Sequence, residues 1–281
     1  MTHASLFSGI GGFDLAAEWA GWTNVFNCEI DSFCRKVLKY HFPDAEQYED
    51  IKKSDFSKWR DRIDVLTGGF PCQPFSLAGK RKGTDDDRYL WPAMLGVIRT
   101  VRPRWVVGEN VYGIVNWSEG MVFDTVCSDL EAEGYEVQPY IIPACGVGAP
   151  HRRDRCWFVA HRADTRIETM REGQDGLYAD EFVAHADVQR FEKCNASEKS
   201  SQTQERLAQN GNEKRRIPDW SGFPTESPVC DRDDGFPGEL AGLSFPAWCR
   251  ESIKACGNAI VPQVALQIFK TIEEYETKQL R

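Results

Sequence analysis

Cys72 stands in the run Gly68-Gly69-Phe70-Pro71-Cys72-Gln73-Pro74-Phe75-Ser76, directly after the apolar stretch Ile63 to Leu66. Glycine admits backbone angles that other residues avoid, and proline fixes its own, so the run specifies a sharp turn. A thiol held at the carboxyl end of a strand can serve as a nucleophile once ionised. A turn that merely buries an inert thiol has the same pattern, and the surroundings decide between them. Two acids fall in comparable positions. Glu29 ends the apolar run Val25 to Cys28, and Glu109 of Glu109-Asn110-Val111 follows Trp105 to Gly108. Ahead of both, Phe7-Ser8-Gly9-Ile10-Gly11-Gly12 leaves a first short apolar run and opens a helix. Its glycines let a ligand approach the backbone, and the helix start favours a carboxylate or phosphate. An acid at the end of the second strand can hydrogen-bond ribose hydroxyls, although an ordinary surface glutamate reads the same way. Asp14 stands where a dinucleotide fingerprint wants Gly or Ala, so a nucleoside without a pyrophosphate fits better than NAD. A thiol, a carboxyl group and a nucleoside pocket in one cleft make a group transferase.

The elements that must position these residues alternate along the first 160 or so positions. Ala4–Phe7, Val25–Cys28, Ile63–Leu66, Trp105–Gly108, Val137–Ile142 and Cys156–Ala160 read as strands. Gly12–Ala20, Asp31–Tyr40, Trp91–Val101 and Ser118–Glu133 read as helices between them. Such alternation specifies an α/β fold with a doubly wound, mostly parallel sheet, whose ligands sit at the carboxyl ends of the strands. From Arg162 to Trp220 the chain turns polar and loses its apolar period, and Glu192 to Asn212 has the composition of a disordered stretch. An aromatic and proline-rich segment follows, Trp220 to Trp248, and then a helix from Pro262 to Leu280. The expected plan is a catalytic domain over 1–161, a small recognition region over 162–246, and a C-terminal segment, 247–281, that returns to the first domain.

Composition is that of an ordinary globular protein, with 281 residues, 41% hydrophobic and 27% charged. The net charge of -9 argues against indiscriminate coating of nucleic acid, while leaving room for a local basic groove. Lys80-Arg81-Lys82, Arg152-Arg153-Asp154-Arg155 and Lys214-Arg215-Arg216 are the basic clusters, each also readable as solvated surface. The 10 cysteines include no Cys-x-x-Cys pair and none at zinc-ligand spacing from a histidine, so no metal is expected. The start lacks a signal-peptide pattern and no run is long enough to span a membrane. A cytoplasmic protein with reduced thiols is the simplest expectation.

Taken together, these motifs resemble those of the cytosine-5 DNA methyltransferases. The resemblance covers residues 4 to 160 and returns at Cys256 to Ala265. Phe7 to Gly12 is similar to the family's first motif, Pro71-Cys72-Gln73 to its catalytic motif, and Glu109-Asn110-Val111 to its acid motif. His151-Arg152-Arg153-Asp154-Arg155 resembles Gln-x-Arg-x-Arg, and Gly257-Asn258-Ala259-Ile260-Val261-Pro262 the closing motif. Their order and spacing make the combination specific. The resemblance implies a Rossmann-like methyltransferase fold with a small target-recognition domain, S-adenosyl-L-methionine as cofactor, and duplex DNA with a flipped-out cytosine as substrate. Cys72 would add to ring carbon 6, making carbon 5 nucleophilic, and Glu109 would hydrogen-bond or protonate ring nitrogen 3. Arg153 and Arg155 match the positions that hold the cytosine oxygen and the active-site loop. No residue stands out as the base that removes the carbon 5 proton, and water can serve.

On the cofactor side, Phe7 would stack on adenine, with Gly9 and Gly11 near the methionine end. Glu29 would hold the ribose, Asp50 the adenine amine, and Asn258 the same pocket. Phe7 is equally readable as core, and Asp50 rests on position alone. Gln73, Ser76, Lys80, Arg81, Lys82 and His151 are the DNA-binding candidates, the basic trio because it follows the catalytic loop. The family's glutamine is His151 here. Its ninth motif is not recognisable, with Pro224-Thr225-Glu226-Ser227-Pro228 standing roughly in its place. The short recognition region resembles compact phage or prophage members. A monomer is the default, and a cognate restriction endonuclease can accompany such an enzyme, though the sequence does not show one.

Two other readings share part of the pattern. An RNA cytosine-5 methyltransferase would use nearly the same cleft, and a non-catalytic DNA-binding relative would keep the fold. The latter has no chemical need for Cys72, Glu109 and Arg155 together. A papain-like hydrolase would need a histidine beside Cys72, and none has an evident place there.

Overall fold

Parallel strands need crossovers of a dozen or so residues, and the helices between the N-terminal strands supply them. The computed structural model of the chain describes residues 1–71, 89–162 and 245–279. First come β1 (Thr2–Leu6), α1 (Gly12–Trp19), β2 (Thr23–Cys28), α2 (Ser32–His41), β3 (Glu46–Tyr48) and β4 (Val65–Gly68). Then follow α3 (Trp91–Val101), β5 (Trp105–Val111), α4 (Met121–Ala132), β6 (Tyr135–Pro143) and β7 (Asp154–Arg162). Two helices close the chain, α5 (Phe245–Asn258) and α6 (Pro262–Gln279). The strands form a seven-stranded sheet in the order β3-β2-β1-β4-β5-β7-β6. β1 is parallel to β2 on one side and to β4 on the other, and β4 is parallel to β5. Among the described strands only β7 is reversed, antiparallel to both β5 and β6. The fold is the expected mostly parallel, Rossmann-like one. The described residues all fall in one compact unit.

Both faces of the central strands are covered, which is why β4 and the first half of β5 read as near-continuous apolar runs. On one face Phe26, Leu66, Val106 and Phe158 pack with Trp91, Met94 and Ile98 of α3. On the other, Val65, Val107 and Trp157 pack with Phe13 of α1 and with Val264, Leu266 and Phe269 of α6. Successive residues of β4 and β5 thus serve opposite layers. The C-terminal helix is further held by indole donors: Trp22 Nε1 donates to Glu273 at 2.6 Å and Trp105 Nε1 to Glu276 at 2.7 Å.

Several boundaries differ from the sequence expectation, each for a local reason. β5 runs on to Val111, because β7 pairs with Glu109, Asn110 and Val111 as well as with the apolar residues before them. Glu109 therefore lies inside a strand and not after it. α4 starts at Met121 and not Ser118, since Ser118, Glu119 and Gly120 have φ of 49°, 61° and 89°. A helix cannot begin through left-handed residues. β3 has 3 residues and no fully buried position, too little apolar pattern to be read. α5 was not expected at all.

Polar side chains also lie inside the sheet beneath the glycine-rich turn. His3 Nδ1 is 2.6 Å from Asn24 Oδ1 and its Nε2 is 3.0 Å from Thr67 Oγ1. Burial lowers its pKa to about 4, so it is neutral. Ser5 Oγ lies 3.0 and 2.9 Å from the two carboxyl oxygens of Asp14 and 2.7 Å from Ser8 Oγ. Asp14, fully buried on α1, thus braces the turn from below and takes no part in ligand approach.

Burial pushes the Asp14 carboxyl up to about 7 from 3.8, against the lowering effect of the Ser5 bond. The folded chain therefore keeps a proton that the unfolded chain releases. The stability that depends on this proton is full below the unfolded value and is lost as pH rises through about 7. Asp14→Asn should raise the melting temperature relative to the parent more at pH 8 than at pH 5, by roughly 2–4 °C for each kcal/mol that ionisation costs. Equal shifts at both pH values in thermal melts would refute the perturbed carboxyl.

Candidate active site

The chain leaves β1 for β2 and β3, then returns to the far side of β1 as β4. At such a reversal the connections splay apart and leave a crevice at the strands' carboxyl ends. A cavity of about 710 Å³ occupies it, within the range of small-molecule sites. Its wall brings together Phe7, Gly9, Glu29, Asp50, Glu109 and Asn258 from segments far apart in sequence. Gly11, His151, Arg153 and Arg155 are not part of that wall. Cys72, Gln73, Ser76, Lys80, Arg81 and Lys82 lie outside the described residues, as do residues 163–244 of the recognition region expected over 162–246.

On the β1–β2 side, Glu29 is fixed at both oxygens. Its Oε2 accepts the Gly9 amide at 2.7 Å and its Oε1 the Asp31 amide at 2.8 Å. The Gly9 amide, which the sequence offered to a ligand, is thereby taken, and the carboxylate's remaining lone pairs are left for the cavity. Phe7 adopts φ 52°, a left-handed angle rare outside glycine, so the turn that presents it carries strain of about 1–2 kcal/mol. Gly11 has φ 86°, and a Cβ there would come 2.5 Å from the Phe42 ring. Its glycine serves packing against α2 and not access to the cavity. Asp50 accepts the Lys52 amide at 2.9 Å, a bond that holds its carboxyl below the usual range. Ile30, 69% exposed, and Ile51 give the wall between these acids an apolar surface.

The β4–β5 side is more deeply buried. Glu109 Oε1 pairs with Arg155 Nε at 2.9 Å, across the β5–β7 ladder. Burial raises the Glu109 carboxyl to about 7 from 4.5, in spite of the opposing charges of Arg155 and Arg153. Gly69 leaves room for it, since a Cβ there would sit 3.3 Å from Glu109 Oε2. Asn110 is buried and ties strand to loop: its Nδ2 donates to Phe70 O at 3.0 Å. The Leu90 amide reaches Pro71 O at 3.4 Å, so the stretch that carries Cys72 leaves and rejoins the described fold at neighbouring points.

Arg153, at φ 39°, points elsewhere. Its Nη2 donates to Gly257 O at 3.0 Å and to Ala259 O at 2.5 Å. His151 and Arg152 are exposed, and Arg152 pairs with Asp154 at 2.9 Å.

Three features of the site escaped the sequence reading. α5 forms one wall, with Lys254 reaching Asp31 at 3.0 Å, and its mixed composition gave no apolar period. Gly12 is required because Ile260 packs where its Cβ would be, 2.7 Å away. Asn110 stood in a quoted motif, but only its strand position reveals that it fixes Phe70. Among the described residues no cluster of three or more His, Cys, Asp or Glu could hold a metal ion. Among them, too, no helix is long and apolar enough to cross a membrane.

The chain is similar in sequence and fold to known proteins. The type II methyltransferase M.Eco47II of Escherichia coli is 36% identical over 166 residues, which are 58% of this chain and 40% of that protein. M.NgoBI of Neisseria gonorrhoeae, also a type II methyltransferase, is 37% identical over 155 residues, 55% of this chain and 48% of its own length. The chain thus matches about half or less of these relatives. The crystal structure of a prophage-encoded E. coli protein, described as a DNA modification methyltransferase, superposes with a TM-score of 0.50 at 26% identity. That match covers 58% of this chain and 47% of the other. The model of the family described as C-5 cytosine-specific DNA methylase matches residues 1–233, and the chain belongs to that family.

Proposed function

We propose that the chain is a DNA (cytosine-5-)-methyltransferase that methylates a flipped-out cytosine in a specific duplex site through a covalent Cys72 adduct. The observation that carries this reading is the buried Glu109, paired to Arg155, in the same cavity as the amide-pinned Glu29. Members of the family generally use S-adenosylmethionine, which supplies an electrophilic methyl group. The residues suit it: a carboxylate with free lone pairs for ribose hydroxyls, an apolar wall at Ile30 and Ile51, and a cavity of about 710 Å³.

In this reading the Cys72 thiolate adds to cytosine carbon 6, and the displaced electron pair makes carbon 5 nucleophilic. Glu109, with a pKa of about 7, is protonated in a good fraction of molecules at neutral pH and donates to ring nitrogen 3. Arg155 fixes that carboxyl, with its Nε 2.9 Å from Oε1. Carbon 5 would take the methyl group that the donor supplies, the carbon–sulfur bond breaking to leave a neutral thioether. Loss of the carbon 5 proton to water then restores the double bond and expels the thiolate, and the ring nitrogen 3 proton returns to Glu109. Burial of the acid matters because the donor has to be neutral before it can give up a proton. Residues 162–246 supply target recognition, and Lys80, Arg81 and Lys82 meet phosphates.

A base-resolution map of 5-methylcytosine in DNA from a non-methylating host expressing the chain tests the whole reading. Methylation confined to one short sequence, and abolished by Cys72→Ser, is expected; folded protein with no methylation, or activity that survives Cys72→Ser, would overturn it. Glu29→Ala should weaken S-adenosylmethionine about tenfold or more in calorimetry, as loss of charged hydrogen bonds does; unchanged affinity would remove Glu29 from the cofactor site. The single-turnover rate should fall as pH rises past about 7, when Glu109 loses its proton. Arg155→Met removes the opposing charge, so the residual activity should show that limb at higher pH; a limb that stays in place would mean another group titrates.

A further inference from the structure

Arg153 precedes β7 and is not part of the cavity wall. Its guanidinium donates to the carbonyls of Gly257 and Ala259, which flank Asn258 on the cavity wall. Gly257 and Asn258 end α5, where carbonyls lack helical partners and a cation is favoured. The neighbouring backbone is already fixed, since the Ala259 amide donates to Ala255 O at 3.0 Å. With both carbonyls held by one planar group, the Asn258 backbone has little freedom to swing. The left-handed φ of Arg153 is an added cost for reaching this position.

On the strength of the methyltransferase reading, we propose that Arg153 is a positioning residue for the methyl donor, acting through Asn258, and not a group that holds the cytosine. The sequence motif pairs Arg153 with Arg155, but the geometry divides them. Arg155 reaches Glu109 directly, and Arg153 turns away to the α5–α6 turn. The turn has a second, independent anchor. Ile260 packs against Gly12, and α6 keeps Val264, Leu266 and Phe269 in the core. Removing Arg153 therefore loosens the Asn258 wall while the helix stays docked.

The test uses the full chain, S-adenosylmethionine without DNA in calorimetry, and a fluorescent duplex in anisotropy. Arg153→Met should weaken the donor by about tenfold, with duplex affinity within roughly threefold of the parent. Asn258→Ala should weaken it too, and the double variant should be no more than about twofold worse than Asn258→Ala, because residues that act through one another are not additive. Arg153→Lys keeps a cation for one carbonyl and should recover part of the loss, and it serves as the probe if Arg153→Met does not fold. Donor affinity that is unchanged in Arg153→Met or, should that variant not fold, in Arg153→Lys would overturn the proposal, as would losses that multiply in the double variant. A parent chain that binds no donor would overturn the methyltransferase reading itself, and this inference with it.

Discussion

The hydrogen bonding of β1 to two parallel neighbours governs everything in the cleft. β2 and β4 lie on opposite sides of β1, so the chain must depart in one direction and come back in the other. That reversal opens the crevice and places the turns after β1, β2 and β4 around it. The glycine-rich turn, Glu29 and Gly69 meet there because of strand order, though their positions in sequence are far apart. β5 adds its acid from within the ladder, and the reversed β7 brings Arg155 to face it.

The two acids of the cleft show how environment assigns roles to one residue type. Glu29 accepts two backbone amides, which fix its orientation at the strand end. Glu109 has an arginine at 2.9 Å and is nonetheless pushed upward, to about 7. Desolvation outweighs the ion pair here, as it does when a charge is deeply buried. One acid is pinned by backbone donors and the other by burial and an arginine. The buried His3, Ser5 and Asp14 beneath the turn extend the same logic, with each polar group given a partner inside the core.

Much of this was legible in the sequence. Apolar runs alternating with amphipathic ones gave the parallel sheet, and short-range motifs gave both acids and the glycine turn. What escaped depends on distant contacts. Gly11 and Gly12 look alike in sequence, yet one is fixed by Phe42 and the other by Ile260. Arg153 and Arg155 share a motif and find different partners because Arg153 lies just before β7 at φ 39°, whereas Arg155 is within the strand. α5 packs on α2 through a small cluster around Trp248 and Ala255. No local pattern encodes such a pairing.

The stretch 163–244 departs from the end of β7 and rejoins the fold at α5. Its first anchor is Arg162, whose amide donates to Arg104 O at 2.9 Å and whose guanidinium donates to Arg102 O at 2.8 Å. Its second is α5, held against Phe33 and Val37 of α2. Both ends are thus secured by partners outside the stretch itself. In general the entropy of closing a chain between two fixed points rises by only about 0.6 kcal/mol for each doubling of its length. The sheet and its cleft therefore act as a socket: what is plugged between β7 and α5 can grow, shrink or be exchanged, and the chemistry beside it need not be reinvented.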